Sequence, residues 1–526
     1  MRRLASTIAL FAALSACGGA GAGPGGESGV GEGETDADRT ETAGGETGEP
    51  LAPVCEFALD ERIDPEALSA HLQALAEIAE QNGGNRAAGS SGYEASAAYV
   101  EEQLAGLGYE VSRWAFEFDR FVELSPSQLE LSLDAPPPQL DADFATATWS
   151  PSGSVSAPLD AVDLELGLGN SSTSGCQAED FADFDPGSVA LIQRGGCTFA
   201  TKAGHAEAAG ALAVLIFNQG DSEGRTGLFG GTLGGGNELQ IPVLFTTYAL
   251  GESLAAEVEL GPVIADIFVD SDRVPTQTFN VLAQTPGESG RVVMFGAHLD
   301  SVPAGPGVND NGSGSATVLE LARQFAACSP RHQVRFAWWG GEEWGLHGSR
   351  QWVESLEPGE LERLALYLNF DMLASPNYVR YVHSGVGGPA GSVEIHDAFV
   401  GYFDTLGLPT APTPFAGNSD YQAFVDAGVP AGGLATGAGG SKSQDQAETF
   451  GGMAGEAYDA CYHQACDDAE NFAAEVLTQN ARAAAHLLQR WAGELDELDA
   501  AMPAAPAPVA DELAAAAIHG CGHSHE

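Results

Sequence analysis

Positive charge is scarce in this chain. Only 21 lysines and arginines stand against 74 aspartates and glutamates, giving a formal charge of −53 and a pI near 4.2. Such a surface repels a phosphate backbone, so nucleic acid is a poor partner. The acid surplus suits a soluble or salt-adapted surface and specifies no substrate. Long apolar runs are missing as well. The run from Leu4 to Leu14 is too short for the ~20 residues of a membrane span, and no other stretch approaches one. Cysteine, 8 in 526 residues, is too sparse for a disulfide-built scaffold, and 44% apolar content excludes global disorder. At roughly 150 residues per domain the length allows two to four domains with full cores.

Arg2 and Arg3 ahead of the Leu4 to Leu14 run make it a signal-peptide core. It ends in Leu14-Ser15-Ala16-Cys17, which resembles the lipobox of bacterial lipoproteins. The resemblance implies cleavage after residue 16 and a lipid anchor on Cys17; an ordinary signal peptide with an incidental cysteine is the alternative. Residues 17–54, Gly-rich and without apolar period, read as a flexible tether. The protein is therefore expected outside the cytoplasm, as a bacterial membrane lipoprotein, of the outer membrane, or secreted. Disulfides persist there. Cys176 with Cys197 and Cys461 with Cys466 are the expected bridges, Cys55 with Cys328 is a further pairing, and Cys521 is left over. It sits in a His-rich segment closing an Ala/Pro-rich tail, residues 496–526, read as mobile and without catalytic role.

Three blocks follow the tether. In residues 55–121, Asp64-Pro65 opens a helix carrying Leu68, Leu72, Leu75 and Ala79 to a stop at Gly83-Gly84. A second helix carries Tyr93, Ala97, Val100 and Leu104, and a strand begins at Tyr109. Residues 122–271 read as strands and Gly-rich turns with one helical stretch, around Ala200 to Ala209. In residues 272–495 apolar strands (Arg291 to Ala297, Val334 to Trp339, Leu364 to Asn369, Val429 to Leu434) alternate with helical stretches such as Ser313 to Ala327. This rhythm implies an α/β fold with a mostly parallel sheet, whose chemistry gathers at the carboxyl ends of its strands.

Polar residues stand at those ends: His298-Leu299-Asp300, then Asn309-Asp310-Asn311 in a loop, Glu342-Glu343, Asn369-Phe370-Asp371, and late in the chain Tyr462-His463. Two histidines and three acids can converge on a pair of divalent ions, whereas a lone catalytic zinc needs about three protein ligands and a water. The count favours two metals.

Two resemblances extend this reading. Ser188 to Phe199, with its Arg194-Gly195-Gly196-Cys197 turn, and Gly210 to Asn218 resemble the protease-associated (PA) domain, a β-rich insert beside peptidases. His298-Leu299-Asp300, Val308 to Gly314, Trp338 to Glu343, Asn369 to Met372, Asn418-Ser419-Asp420 and Cys461 to Asp467 resemble the di-zinc exopeptidase family of secreted bacterial leucyl aminopeptidases. The likeness spans about residues 85–112 and 279–491. It implies a zinc exopeptidase-like (phosphorylase/hydrolase-like) fold, a monomer, peptide substrates and two Zn2+ ions. His298 and Asp371 would hold one zinc, Glu343 and His463 the other, with Asp310 bridging. Glu342 would be the general base toward a water shared by both metals, and Tyr462 would donate to the developing oxyanion. The Asp300 carboxylate would accept the free imidazole N–H of His298 and fix its tautomer. A cis peptide after Asp310 is implied too, and a Cys461–Cys466 bridge would hold Tyr462 and His463 in place.

Two positions depart from the pattern: Asn418 stands where relatives have arginine, and Tyr421 where they have histidine. The function expected is removal of the N-terminal residue, an apolar one such as leucine, from peptides. The alternatives are a di-zinc carboxypeptidase of the glutamate type, which needs basic residues near the metals; a one-zinc glutaminyl cyclase; and a non-catalytic surface binding module. Only Arg350, Arg363, Arg380 and Lys442 lie between Glu343 and Tyr462, which disfavours the carboxypeptidase.

Overall fold

The computed structural model describes residues 53–286 and 290–501. Cys17, Cys521 and the His-rich end of the tail lie outside the described residues. Among those described, no helix is long and apolar enough to cross a membrane.

Helix α1 (Pro65–Gln81) starts where Asp64 accepts the Glu66 N–H at 2.9 Å, and buries Leu68, Leu72, Leu75 and Ala79 along one face. Helix α2 (Ser91–Leu104) starts at Ser90, whose hydroxyl accepts from Tyr93 N. Strand β1 (Glu110–Leu131) leads into a second lobe of β2 (Phe144–Thr146), β3 (Gly153–Val162), β4 (Val189–Gln193), α3 (Phe199–Ala208), β5 (Ala213–Phe217), β6 (Val243–Thr246) and α4 (Tyr248–Leu260). Strand β7 (Ile264–Gln284) returns antiparallel to β1. The catalytic lobe then runs β8 (Val292–His298), α5 (Gly314–Phe325), β9 (Gln333–Trp339), α6 (His347–Glu354), α7 (Pro358–Leu361), β10 (Leu364–Phe370), β11 (Tyr381–His383), α8 (Ser392–Thr405), β12 (Ala411–Thr413), α9 (Tyr421–Asp426), β13 (Ala431–Ala435), α10 (Gln444–Phe450) and α11 (Ala474–Trp491).

The lobes share a sheet path, β12-β11-β13-β10-β8-β9-β7-β3-β4-β5-β6-β2. At its centre β9, β8, β10 and β13 run parallel. Every residue of β8 and β10 is buried, as expected for strands covered on both faces. On one face α1, α2, α5 and α11 pack around Phe295, Phe336 and Phe370. On the other, Phe424 of α9 stacks on Tyr367 with ring centroids 3.7 Å apart, beside Trp339 and Trp352. Residue 296 is glycine where the Tyr367 and Trp339 side chains cross β8: a Cβ there would meet Tyr367 Oη at 2.5 Å and Trp339 Nε1 at 2.8 Å.

The second lobe departs from the sequence reading in two ways. It carries two helices, not one, because the small or apolar residues Gly251, Leu254 and Ala255 of α4 bury at helical spacing behind a Thr247 cap. Its strands β3, β4, β5 and β6 are parallel, so the lobe is itself α/β and not simply β-rich. Nor do residues 122 and 271 fall in linkers. Val122 pairs with Asp272 and Glu123 with Ser271 inside one ribbon, whose register slips between Glu123 and Gln128. One extra β1 residue at each of the two shifts sharpens the local twist.

Both expected disulfides are formed, Cys176–Cys197 and Cys461–Cys466, and the pairing that the sequence left open is Cys55–Cys328. Cys55–Cys328 joins points 273 residues apart, the kind of closure that restrains an unfolded chain most. Replacing both cysteines by serine should lower unfolding free energy by about 2–5 kcal/mol, measured as a shifted urea midpoint.

Candidate metal centre

Parallel neighbours bring their carboxyl ends side by side, and that delivers the polar groups to one place. His298 is the last residue of β8, Glu342 and Glu343 follow β9 through a turn made at Gly341 (φ 71°), and Asp371 follows β10 directly. Asp310 enters from the wide helical turn Val308–Ser313 ahead of α5, and its peptide bond to Asn311 is cis. His463 comes from the disulfide-closed loop before α11.

Asp310 lies between the two histidines. Its Oδ1 is 3.3 Å from His298 Nε2 and its Oδ2 is 3.1 Å from His463 Nε2. Asp371 Oδ1 is 3.3 Å from His298 Nε2, and Glu343 Oε2 is 3.0 Å from His463 Nε2. Glu342 Oε2 stands farther off, 4.0 Å from His298. Within each of two trios, His298, Glu342 and Asp371, and His298, Asp310 and Glu343, the metal-capable donor atoms lie within 4.8 Å of one another. Tyr462 stacks on the His463 ring at 3.8 Å, and burial beside Asp310 and Glu343 raises its phenol pKa.

The electrostatics call for cations. Burial and neighbouring carboxylates push Glu342 far above the usual carboxylate range, and burial with Asp310 brings Glu343 to about 7. Burial disfavours the His463 imidazolium, but Asp310 and Glu343 outweigh it and raise the group to about 10. The same contest raises His298, where Glu342 and Asp371 prevail. These histidines thus attract protons that metal ions would displace. Glu343 Oε1 and Asp371 Oδ1 are buried with no hydrogen-bond donor, so lone pairs stand ready for a metal where they would otherwise be costly. The donor set of imidazoles and carboxylates suits zinc.

The role of Asp300 differs from expectation. His298 Nδ1 lies 3.0 Å from the Asp300 main-chain carbonyl, whereas the carboxylate Oδ1 is 3.8 Å away. That carboxylate instead accepts the Glu342 N–H at 3.3 Å. Either oxygen fixes the same tautomer.

Arg86, which sequence reasoning passed over, is fully buried. Its guanidinium donates to the carbonyls of Leu299, Pro306 (2.9 Å) and Gly307 (2.6 Å), clamping the loop between His298 and Asp310. Its signal was an arginine amid small residues in an arginine-poor chain. Ser419 was seen only as part of a motif; its hydroxyl donates to Asp371 Oδ2 at 2.6 Å. The departures at 418 and 421 prove to be partners: Tyr421 Oη donates to Asn418 Oδ1 at 2.7 Å and accepts from Ala416 N at 2.9 Å.

Residues 280–488 match the model of peptidase family M28, and residues 155–254 that of the PA domain. The chain is 46% identical over 414 residues, 77% of each chain, to an aminopeptidase of Pseudomonas aeruginosa. It is 39% identical over 475 residues, 85% of this chain and 88% of the other, to the "Probable lipoprotein aminopeptidase LpqL" of Mycobacterium tuberculosis. A solved zinc aminopeptidase from Bacillus subtilis superposes with a TM-score of 0.58 at 26% identity, covering 81% of this chain and 95% of that one.

A chelator should therefore lower thermal stability and zinc should restore it. Free zinc at 1,000-fold its Kd corresponds to about 4 kcal/mol of linkage, read as a reversible rise in unfolding temperature.

Proposed function

The chain belongs to peptidase family M28, and from that premise we propose that it is a di-zinc aminopeptidase that removes the N-terminal residue from peptides. The observation that carries this reading is Asp310, whose two oxygens each face a different histidine, with a carboxylate beside each. His298 and Asp371 would hold one ion and Glu343 and His463 the other, with Asp310 placed to serve both. Bound zinc supplies Lewis acidity and brings water toward a pKa near ~7.

The chain's own groups do the rest. Glu342, set back from the histidines, takes a proton from the attacking water and returns it to the leaving amine. Burial and the neighbouring Asp371 and Asp420 carboxylates raise its proton affinity above that of an ordinary glutamate. Tyr462 donates to the carbonyl oxygen as negative charge grows there. Glu342 and Asp371 attract a protonated α-amine. Of the basic residues between Glu343 and Tyr462, Arg363 and Arg380 donate to the carbonyls of Gly290 and Pro409, and Lys442 to that of Tyr378, which leaves fewer to meet a substrate carboxylate. The reading therefore favours the N-terminus over the carboxypeptidase alternative, with an apolar first residue such as leucine. A lipid anchor on Cys17 would hold the enzyme at a membrane surface, a reading supported by the similarity to a mycobacterial protein named as a lipoprotein.

Glu342→Gln should keep both zincs and the fold and lose about 10²- to 10⁴-fold in kcat, whereas Glu343→Gln should lose metal as well. Zinc content and turnover measured on both variants separate the roles, and near-normal turnover of Glu342→Gln would move the proton shuttle elsewhere. Two peptides differing only in an N-acetyl group test direction. The free amine should be required, and equal cleavage of both, or release from the C-terminus, would overturn the assignment.

A further inference from the structure

The bridging carboxylate and the last histidine lie some 150 residues apart in sequence, yet their main chains are stitched together. Two buried aspartates outside the ligand set do this, one on each side of the Cys461–Cys466 loop. Asp467 follows the loop: its Oδ1 accepts Asn309 N at 2.8 Å, its Oδ2 accepts Asp310 N at 3.0 Å, and its carbonyl accepts Val308 N at 3.0 Å. Asp459 precedes the loop: its Oδ2 accepts Asn309 Nδ2 at 2.7 Å and its Oδ1 accepts Cys461 N at 2.8 Å. Asn471 Nδ2 joins the two, 3.0 Å from Asp459 Oδ1 and 2.9 Å from Asp467 Oδ1. Both aspartates are only 1% exposed.

We propose that Asp467, backed by Asp459, is a positioning residue for the metal held by Glu343 and His463, setting that ion's affinity separately from that of its neighbour. The inference rests on the two-metal reading.

Three features separate the two sites. His298 and Asp371 extend from the central strands β8 and β10 and have their own supports, the Asp300 carbonyl and the Ser419 hydroxyl. His463 has no strand beneath it, its side chain is 40% exposed, and its backbone is left-handed at φ 58°. Its distance from Asp310 is therefore governed by how the loop is tied to the Val308–Asp310 segment, and Asp467 makes three of those ties. Only a carboxylate can do so, because two adjacent N–H groups need two acceptors on one side chain. An asparagine there offers one acceptor and turns an N–H2 toward the other N–H.

The test is stepwise zinc binding in competition with a chromophoric chelator, on the full chain lacking residues 1–16, together with circular dichroism. The wild type should show two steps. In Asp467→Asn one step should weaken about 10- to 100-fold, the range for a lost outer-shell partner, while the other moves less than about threefold. Activity should return at saturating zinc, which a merely unfolded protein would not show. Should Asp467→Asn fail to fold, Asn471→Ala, which keeps both carboxylates, should weaken the same step by several-fold. Two unchanged steps, or an equal shift of both, would overturn the positioning role and leave the two-metal reading standing. A single step in the wild type would overturn both.

Discussion

The constraint on which this structure depends is like charge held in a small, dry space. Asp310, Glu342, Glu343 and Asp371 converge with Asp300 and Asp420 close behind, and burial together with neighbouring carboxylates raises the proton affinity of Glu342 and Asp420. Burial alone raises carboxyl pKa values and clustering raises them further, so this arrangement persists only with cations or protons to offset it. Histidines answer part of that need in the bare chain, metal ions the whole of it. The rest of the catalytic lobe serves to keep those groups from moving apart.

The scaffold meets the demand with rigidity. Central strands β8 and β10 are buried on both faces, so their last residues inherit the precision of a packed sheet. The loops that supply Asp310 and His463 lack that support and receive it from polar groups. Arg86 grips the carbonyls between His298 and Asp310, and Asp459 and Asp467 grip the amides of the bridging segment. A guanidinium for carbonyls and carboxylates for amides is the division that hydrogen-bond chemistry dictates in an interior closed to water. The disulfide closes the His463 loop on itself, but the aspartates tie that loop to the metal-bridging segment.

The second lobe is joined to the first by the unbroken β1–β7 ribbon and not by loose linkers. Motion between lobes must therefore pass through a twisted pair of strands, with its irregularity confined to Glu123–Gln128. The aromatic groups Phe118, Trp344 and His347 pack where that ribbon passes the turn bearing Glu342 and Glu343. The ribbon thereby packs against the segment that carries Glu342 and Glu343.

Much of this was legible in the sequence because local chemistry determined it. Asp64-Pro65 must start a helix, apolar runs broken by glycine must be covered strands, and acids and histidines at successive strand ends admit few uses. The family likeness then allotted a role to each. What the sequence by itself could not settle were contacts between segments remote along the chain. Arg86 bonds to carbonyls more than 200 residues away, and any arginine offers those donors without naming their acceptors. Asp467 reads as one more acid in a chain of 74, and only folding shows that both its oxygens meet consecutive amides. Asp300 reads as the carboxylate partner of His298, yet in the fold its carbonyl lies nearer the ring, at 3.0 Å against 3.8 Å. Residue type and strand order were determined by the sequence alone; which polar atom meets which was decided by the tertiary structure, because backbone donors and acceptors are identical at every position until the fold brings two of them together.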